Sequence, residues 1–206
     1  MRYVILAAVW VAWCTVHSLL ISVALTEHLK HRLGNAFRYY RIFYNGFSVI
    51  TLIPVLLYTY SLQTEPLFSW EGPLRAIQLL LLFTSFFLFL SGARRYDALQ
   101  FFGIRQITQS NSCTVLTEDC ELDTTGILGV IRHPWYLGGI LVVWARDLDI
   151  STILTNTIIT GYFVIGTCLE ERKLGMQFGK AYREYQTKVS MLFPSKWLKR
   201  MIRLHV

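Results

Sequence analysis

The feature that most constrains this chain is a series of apolar runs, each close to the length that crosses a bilayer. Residues 3–25, 39–62 and 74–91 hold only Arg41 and Arg75 as charges, and residues 126–145 and 152–169 add two further runs. About 20 apolar residues span the hydrocarbon core as a helix. Only helices and closed barrels satisfy their backbone polar groups there. The runs are continuous rather than alternating, so they predict an all-α fold: an integral membrane helical bundle of about five transmembrane helices. Composition agrees, with 53% hydrophobic and 16% charged residues, against roughly 25% charge in soluble domains. The first run is too long for a signal peptide and lacks a small-residue cleavage site.

Charge placement predicts the topology. Seventeen of the 20 Lys and Arg fall in segments that alternate spans would put on one side, leaving Arg2, Arg75 and Arg146 on the other. Cationic loops stay on the cytoplasmic side. The expectation is an N-terminus outside and a C-terminus inside, with a cytoplasmic amphipathic helix in the basic tail. The net charge of +7 is thereby topogenic, and no nucleic-acid partner is implied. We expect one membrane domain over 1–206: three spans in 1–96, a cytoplasmic loop in 97–125, and a hairpin with its tail in 126–206. Cys14, Cys113, Cys120 and Cys168 lack metal spacing. With Cys113 and Cys120 in a cytoplasmic loop, neither a disulfide framework nor a metal is expected.

The fourth run carries Arg132-His133-Pro134 in its first half. Arg at membrane depth costs about 3 kcal/mol on insertion scales, and proline pushes the residue before it out of the helical region. The backbone is therefore predicted to break at His133 and a new helix to start at Pro134, a good first-turn residue. Irregular backbone at that depth must be buried in protein or line a cavity, which makes the break a candidate site. Glu170-Glu171 closes the fifth run. If the last two spans form an antiparallel hairpin, His133 and Glu170 become neighbours across 37 positions. A helix start offers free N–H groups, paired glutamates offer acceptors for a cation or hydroxyls, and Gly138-Gly139 allows close approach. The bland alternatives are a snorkelling Arg132, a polar span end at Glu170-Glu171, glycine helix packing, and an aromatic belt at Trp135 and Tyr136. Convergence on one edge of one hairpin favours a site.

Three motifs then carry a resemblance. Thr125-Gly126, Arg132-His133-Pro134-x-Tyr136-x-Gly138, and Glu170-Glu171-x-x-Leu174-x-x-x-Phe178-Gly179-x-x-Tyr182-x-x-Tyr185, ending at Phe193-Pro194, together resemble the C-terminal signature of the isoprenylcysteine carboxyl methyltransferase superfamily. That superfamily includes phospholipid and thiol methyltransferases. The match covers about a third of the chain. His17-Ser18 and Arg38-Tyr39-Tyr40-Arg41-x-x-Tyr44-Asn45 more loosely resemble its bacterial branches.

The resemblance implies S-adenosylmethionine as methyl donor, bound on the cytoplasmic side. It implies a wall of His133, Tyr136, Leu137 and Gly138, with Glu170 and Glu171 on the ribose or amino-acid end and Tyr182 and Tyr185 capping from a tail helix. Arg132, Glu170 and Arg146 are the candidates for a catalytic part; the alternative for Arg146 is a solvated outer turn. Leu128 and Gly129 depart from the family's usual aromatic and polar residues, which bears on the acceptor. The acceptor is expected to be lipophilic or lipid-embedded: a thiol, an isoprenylcysteine carboxylate or a lipid head group. His17, Cys14 and Asn45 are polar within the first two spans and are either packing groups or a chamber lining. Sterol reductases resemble the same motifs, use a nicotinamide donor and usually have more spans. A non-catalytic accessory protein would bind no donor and tolerate Glu170→Ala.

Overall fold

A computed structural model describes residues 1–108 and 121–204. In chain order its helices are α1 (Arg2–Leu20), α2 (Val23–Leu33), α3 (Tyr40–Ser61), α4 (Leu74–Ala93), α5 (Ala98–Phe102), α6 (Arg105–Thr108), α7 (Pro134–Trp144), α8 (Ile150–Lys188) and α9 (Ser195–Leu204), with short 3-10 turns at Gly34–Tyr39 and Gly126–Gly129. The all-α expectation holds. Among the described residues, four helical stretches are long and apolar enough to cross a membrane: Arg2–Leu20, Val23–Ser61, Leu74–Ala93 and Ile150–Lys188. The fourth apolar run yields only the 11-residue α7, about 16 Å long at 1.5 Å per residue. That is half a bilayer core, because proline chemistry breaks the run at His133. Cys113 and Cys120 lie outside the described residues, whereas Cys14 and Cys168 are free thiols.

Two compact units divide the chain. The first holds Met1–Phe68, the described part of Asp97–Leu116, and Leu148–Ile158. In it α1 and α3 are joined by polar side chains: Trp10 donates to Thr59 at 2.9 Å and Trp13 to Thr51 at 3.2 Å. His17 lies 2.6 Å from the Tyr44 hydroxyl and 3.0 Å from Ser48, stacked on Trp13. His17 is thus a hydrogen-bonded packing group. Asn45 donates to the carbonyls of Phe101 and Phe102 at 3.2 Å each, satisfying the end of α5. The first apolar run, residues 3–25, ends as a helix at Leu20, and Val23–Leu33 forms the separate α2. Ser22 caps it through the Leu25 N–H and Gly34 ends it at φ +51°, a backbone that suits glycine.

Asp149 is the buried start of α8 in this unit. Its carboxylate accepts from the Thr152 N–H at 2.8 Å, the Thr64 N–H at 2.9 Å and the Ser151 hydroxyl. Burial alone would raise its pKa, and the hydrogen bonds from Thr152, Thr64 and Ser151 outweigh that, lowering it to about 2.

The second unit holds Ser69–Tyr96, the described part of Thr117–Asp147, and the chain from Ile159. Here α4 and α7 meet at unusually close range. A Cβ on Gly138 would lie 3.2 Å from the Phe89 ring, and Ser85 donates to the Gly138 carbonyl at 2.8 Å. A Cβ on Gly92 would collide with Trp135, whose indole donates to the Phe89 carbonyl at 3.0 Å. Trp70 joins the turn after α7, donating from its backbone to Asp147 and from its ring to the Arg146 carbonyl, each at 3.0 Å.

Candidate functional site

The expected break is real and its backbone is satisfied. His133 has φ −126° and ψ 68°, and Pro134 opens α7 at its first turn, as proline demands of its predecessor. Ile131 pairs in parallel with Ser190. The Arg132 N–H donates to Ser190 at 2.9 Å and the His133 N–H to Met191 at 3.1 Å. The chain after α8 thus supplies the acceptors that a helix would have provided.

From there α7 runs antiparallel to the stretch of its partner helix α8 between Thr160 and Glu171. Trp144 donates to Thr160 at 2.9 Å, a Cβ on Gly139 would come within 2.7 Å of Phe163, and Gly166 faces Tyr136. The last step of this register sets His133 beside Glu170 and Glu171. The hairpin expected from the sequence is present.

Glu171 is the hub. Its Oε1 accepts from Arg132 Nε at 2.7 Å, from the Tyr182 hydroxyl at 2.8 Å and lies 2.8 Å from His133 Nε2. Its Oε2 accepts from Arg132 Nη2 at 2.8 Å and from Gln186. Arg132, His133, Glu171 and Tyr182 are all at least nine-tenths buried. Arg132 Nη1 turns to the Val189 and Gln186 carbonyls. Such a two-point guanidinium–carboxylate pair is geometrically specific.

Tyr182 lies 11 positions after Glu171, about 16 Å along a straight helix, so the contact requires α8 to reverse. Gly179 supplies the reversal, at φ 54° and ψ −120°, a region that only glycine enters freely. Tyr185, one turn on, donates to the Leu128 carbonyl at 2.5 Å and packs with Tyr182 and Val189. Tyr182 and Tyr185 are therefore core groups with committed hydroxyls.

Glu170 is the other kind of carboxylate. Its side chain is 35% exposed, with His133 Nδ1 3.6 Å away. The Tyr136 hydroxyl lies within electrostatic reach of it, as Tyr162 and Tyr96 do of Tyr136. Tyr136 meets the edges of His133 and Phe163, both at 5.7 Å between centroids. Burial, with the negative charge of Glu170 adding to it, holds the Tyr96 hydroxyl well above its ordinary pKa. The result is an open carboxylate set among neutral aromatic groups.

The structure therefore gathers Arg132, His133, Tyr136, Glu170, Glu171, Tyr182 and Tyr185 at one end of the hairpin. Leu137 is half-buried on the same first turn of α7, while Gly138 backs onto α4. Arg146 is exposed at the far end of α7, roughly 16 Å of helix away, and is not part of the cluster. Sequence reasoning missed Gln186, although it repeats the face of Tyr182 at i, i+4. It also missed Tyr96 and the pairing of residues 131–133 with 190–191. Among the described residues no group of three or more His, Cys, Asp or Glu is placed to hold a metal ion.

Comparison with known proteins follows the same lines. A family model described as NnrU protein matches residues 5–191. The chain is 37% identical over 78 residues to a methanethiol S-methyltransferase of Pseudomonas deceptionensis, which is 37% of this chain and 30% of that protein. It is 35% identical over 96 residues to methanethiol S-methyltransferase 1 of Bradyrhizobium diazoefficiens, 46% of this chain and 33% of that protein. Over a longer stretch, 152 residues, it is 27% identical to the Mycobacterium tuberculosis methanethiol S-methyltransferase, covering 72% of this chain and 62% of the relative. The chain thus spans about a third of the length of the first two relatives and under two thirds of the third. No solved structure matches. With nearly its whole length matched, the chain belongs to the NnrU protein family, in the isoprenylcysteine carboxyl methyltransferase-like superfamily that its C-terminal motifs resemble.

Proposed function

We propose that the chain is a membrane methyltransferase that uses S-adenosylmethionine and methylates a small thiol, with the donor site on the cytoplasmic side. The observation that carries the reading is the split between the two glutamates: Glu171 is saturated by Arg132, His133, Tyr182 and Gln186, and Glu170 stays open beside Tyr136. An open carboxylate among aromatic rings suits a sulfonium or ammonium cation and accepts hydrogen bonds from ribose hydroxyls, so the residues fit this donor. When bound, the donor supplies a methyl group already activated by its sulfonium. What the protein adds is positioning, the larger share of such a rate.

In this reading Glu170 holds the charged or hydroxylic part of the donor, and His133, Tyr136 and Leu137 form the adjoining wall. Gly138 lets α4 close behind that wall. Glu171 and Arg132 are positioning residues, with Tyr182 and Tyr185 bracing them from the segment after Gly179. Seventeen cationic residues in the segments that alternate spans would put on one side support the cytoplasmic placement. The methanethiol S-methyltransferase names of the relatives support a thiol acceptor, and the expected apolar route from the lipid suits a small volatile or lipophilic one.

The test is thermal stability of the detergent-purified chain with S-adenosylmethionine, S-adenosylhomocysteine or NADPH, followed by transfer of labelled methyl to methanethiol. A ligand at 100 times its Kd stabilises by about 2.7 kcal/mol. Stabilisation by the first two ligands with label in the volatile thioether is the expected result. A shift with NADPH alone points to reductase chemistry, and folded protein that answers to none of the three overturns the proposal in favour of an accessory role.

A further inference from the structure

The helix that follows the site, α9 at Ser195–Leu204, divides into two faces. Lys196, Lys199, Arg200 and Arg203 recur at i, i+3, i+4 and i+7, and no acidic residue interrupts them. Trp197, Leu198, Met201 and Ile202 occupy the other side and are all exposed, Ile202 to 64%. The start of the helix is pinned to the second unit. The Lys196 N–H donates to the Ser190 hydroxyl at 3.0 Å, and that hydroxyl also lies 3.2 Å from Ser195. Two of the four cations face the body of the unit, Lys196 donating to the Gln186 carbonyl and Arg200 to the Lys188 carbonyl. Lys199 and Arg203 lie farther along the basic arc.

We infer that α9 is an interfacial helix that docks on an anionic lipid surface, with Trp197, Leu198 and Ile202 entering the acyl boundary and Lys199 and Arg203 meeting the head groups. Three observations support that occupant. The chain already carries helices long and apolar enough to cross a membrane, so a bilayer is close by. An exposed apolar face with Trp, flanked only by cations, is the pattern of helices lying in the interface plane. Charge complementarity selects anionic over neutral lipid, because each Lys or Arg gains from the negative surface potential. Ser190, which caps α9, also accepts the Arg132 N–H through its carbonyl, so docking would steady the strip that holds the candidate site.

The experiment is hydrogen–deuterium exchange of the full chain in nanodiscs of zwitterionic lipid alone or with about a third phosphatidylglycerol, for the wild type and for Lys199→Gln/Arg203→Gln. The expected result is slower exchange of residues 195–204 in the anionic discs. In the double variant that protection falls by up to about thirty-fold, from two charges at about 1 kcal/mol each, while exchange of α1, α3 and α4 is unchanged. Half-molar salt weakens the wild-type protection in the same way. Equal exchange of α9 in both lipids, or protection indifferent to the double substitution, overturns the inference. Protection that depends on protein concentration in detergent assigns the face to a second copy and overturns it as well.

Discussion

Arg132 and Glu171 meet in a two-point ion pair across 39 positions of sequence, Nε to Oε1 at 2.7 Å and Nη2 to Oε2 at 2.8 Å. Both are buried, so the pair joins the break before α7 to the middle of α8 in an environment where neither charge tolerates the loss of the other.

Glu171→Ala leaves Arg132 buried without its counter-charge and His133 without its acceptor. Breaking a buried pair from one side costs about 3–5 kcal/mol, so the variant should lose most of its stability margin or fail to fold. Glu170→Gln, at a half-open position, should keep the wild-type melting temperature. Parallel thermal melts check the contrast, and equal losses would show that the two glutamates do not divide as described.

Gly179→Ala should destabilise although its Cβ would meet nothing within 4 Å. The cost lies wholly in the backbone, at φ 54° and ψ −120°, and is about 1–3 kcal/mol. Exchange measurements should place the loss in residues 180–191, which depend on the reversal to reach Glu171 and Arg132. A neutral substitution would mean the reversal is not the resting conformation.

Gly139→Ala tests the hairpin. The new methyl would come within 2.7 Å of the Phe163 ring, and overpacking of this kind costs about 1–3 kcal/mol. Phe163→Leu in the same chain should recover part of it, and a double-mutant cycle reads the coupling.

Asp149 predicts an acid limb of stability. Its folded pKa is lowered to about 2, below an unfolded value near 3.9. The contribution is therefore present above pH 4 and disappears as pH falls through 2. It is worth about 2 kcal/mol at neutral pH. Asp149→Asn keeps a capping side chain and removes the charge. Unfolding rates for the two proteins should differ at pH 6 and converge near pH 2; an unchanging gap would contradict the assignment.

The elements governed by local chemistry were legible in the sequence. Pro134 alone dictates a break at His133 and a helix start after it, and the apolar spacing of the last two runs sets His133 level with Glu170. Long-range donors were not legible. The pair Glu170-Glu171 shows two acceptors, but nothing nearby shows that Arg132, Tyr182 and Gln186 converge on only one of them. That convergence depends on Gly179, which in a polar tail reads like any other glycine. The helix α2 was missed because its composition is mixed; its markers are the boundary residues Ser22 and Gly34.

The central claim is that Glu170 faces the donor while Glu171 holds the scaffold. Equilibrium dialysis of labelled S-adenosylmethionine against the full chain in detergent, wild type beside Glu170→Gln, tests it most directly. Losing a hydrogen bond or ion contact to a charged group is worth about 1.5–3 kcal/mol, so the variant should bind about ten- to a hundred-fold more weakly with its melting temperature unchanged. Equal affinity of the two folded proteins would contradict the account.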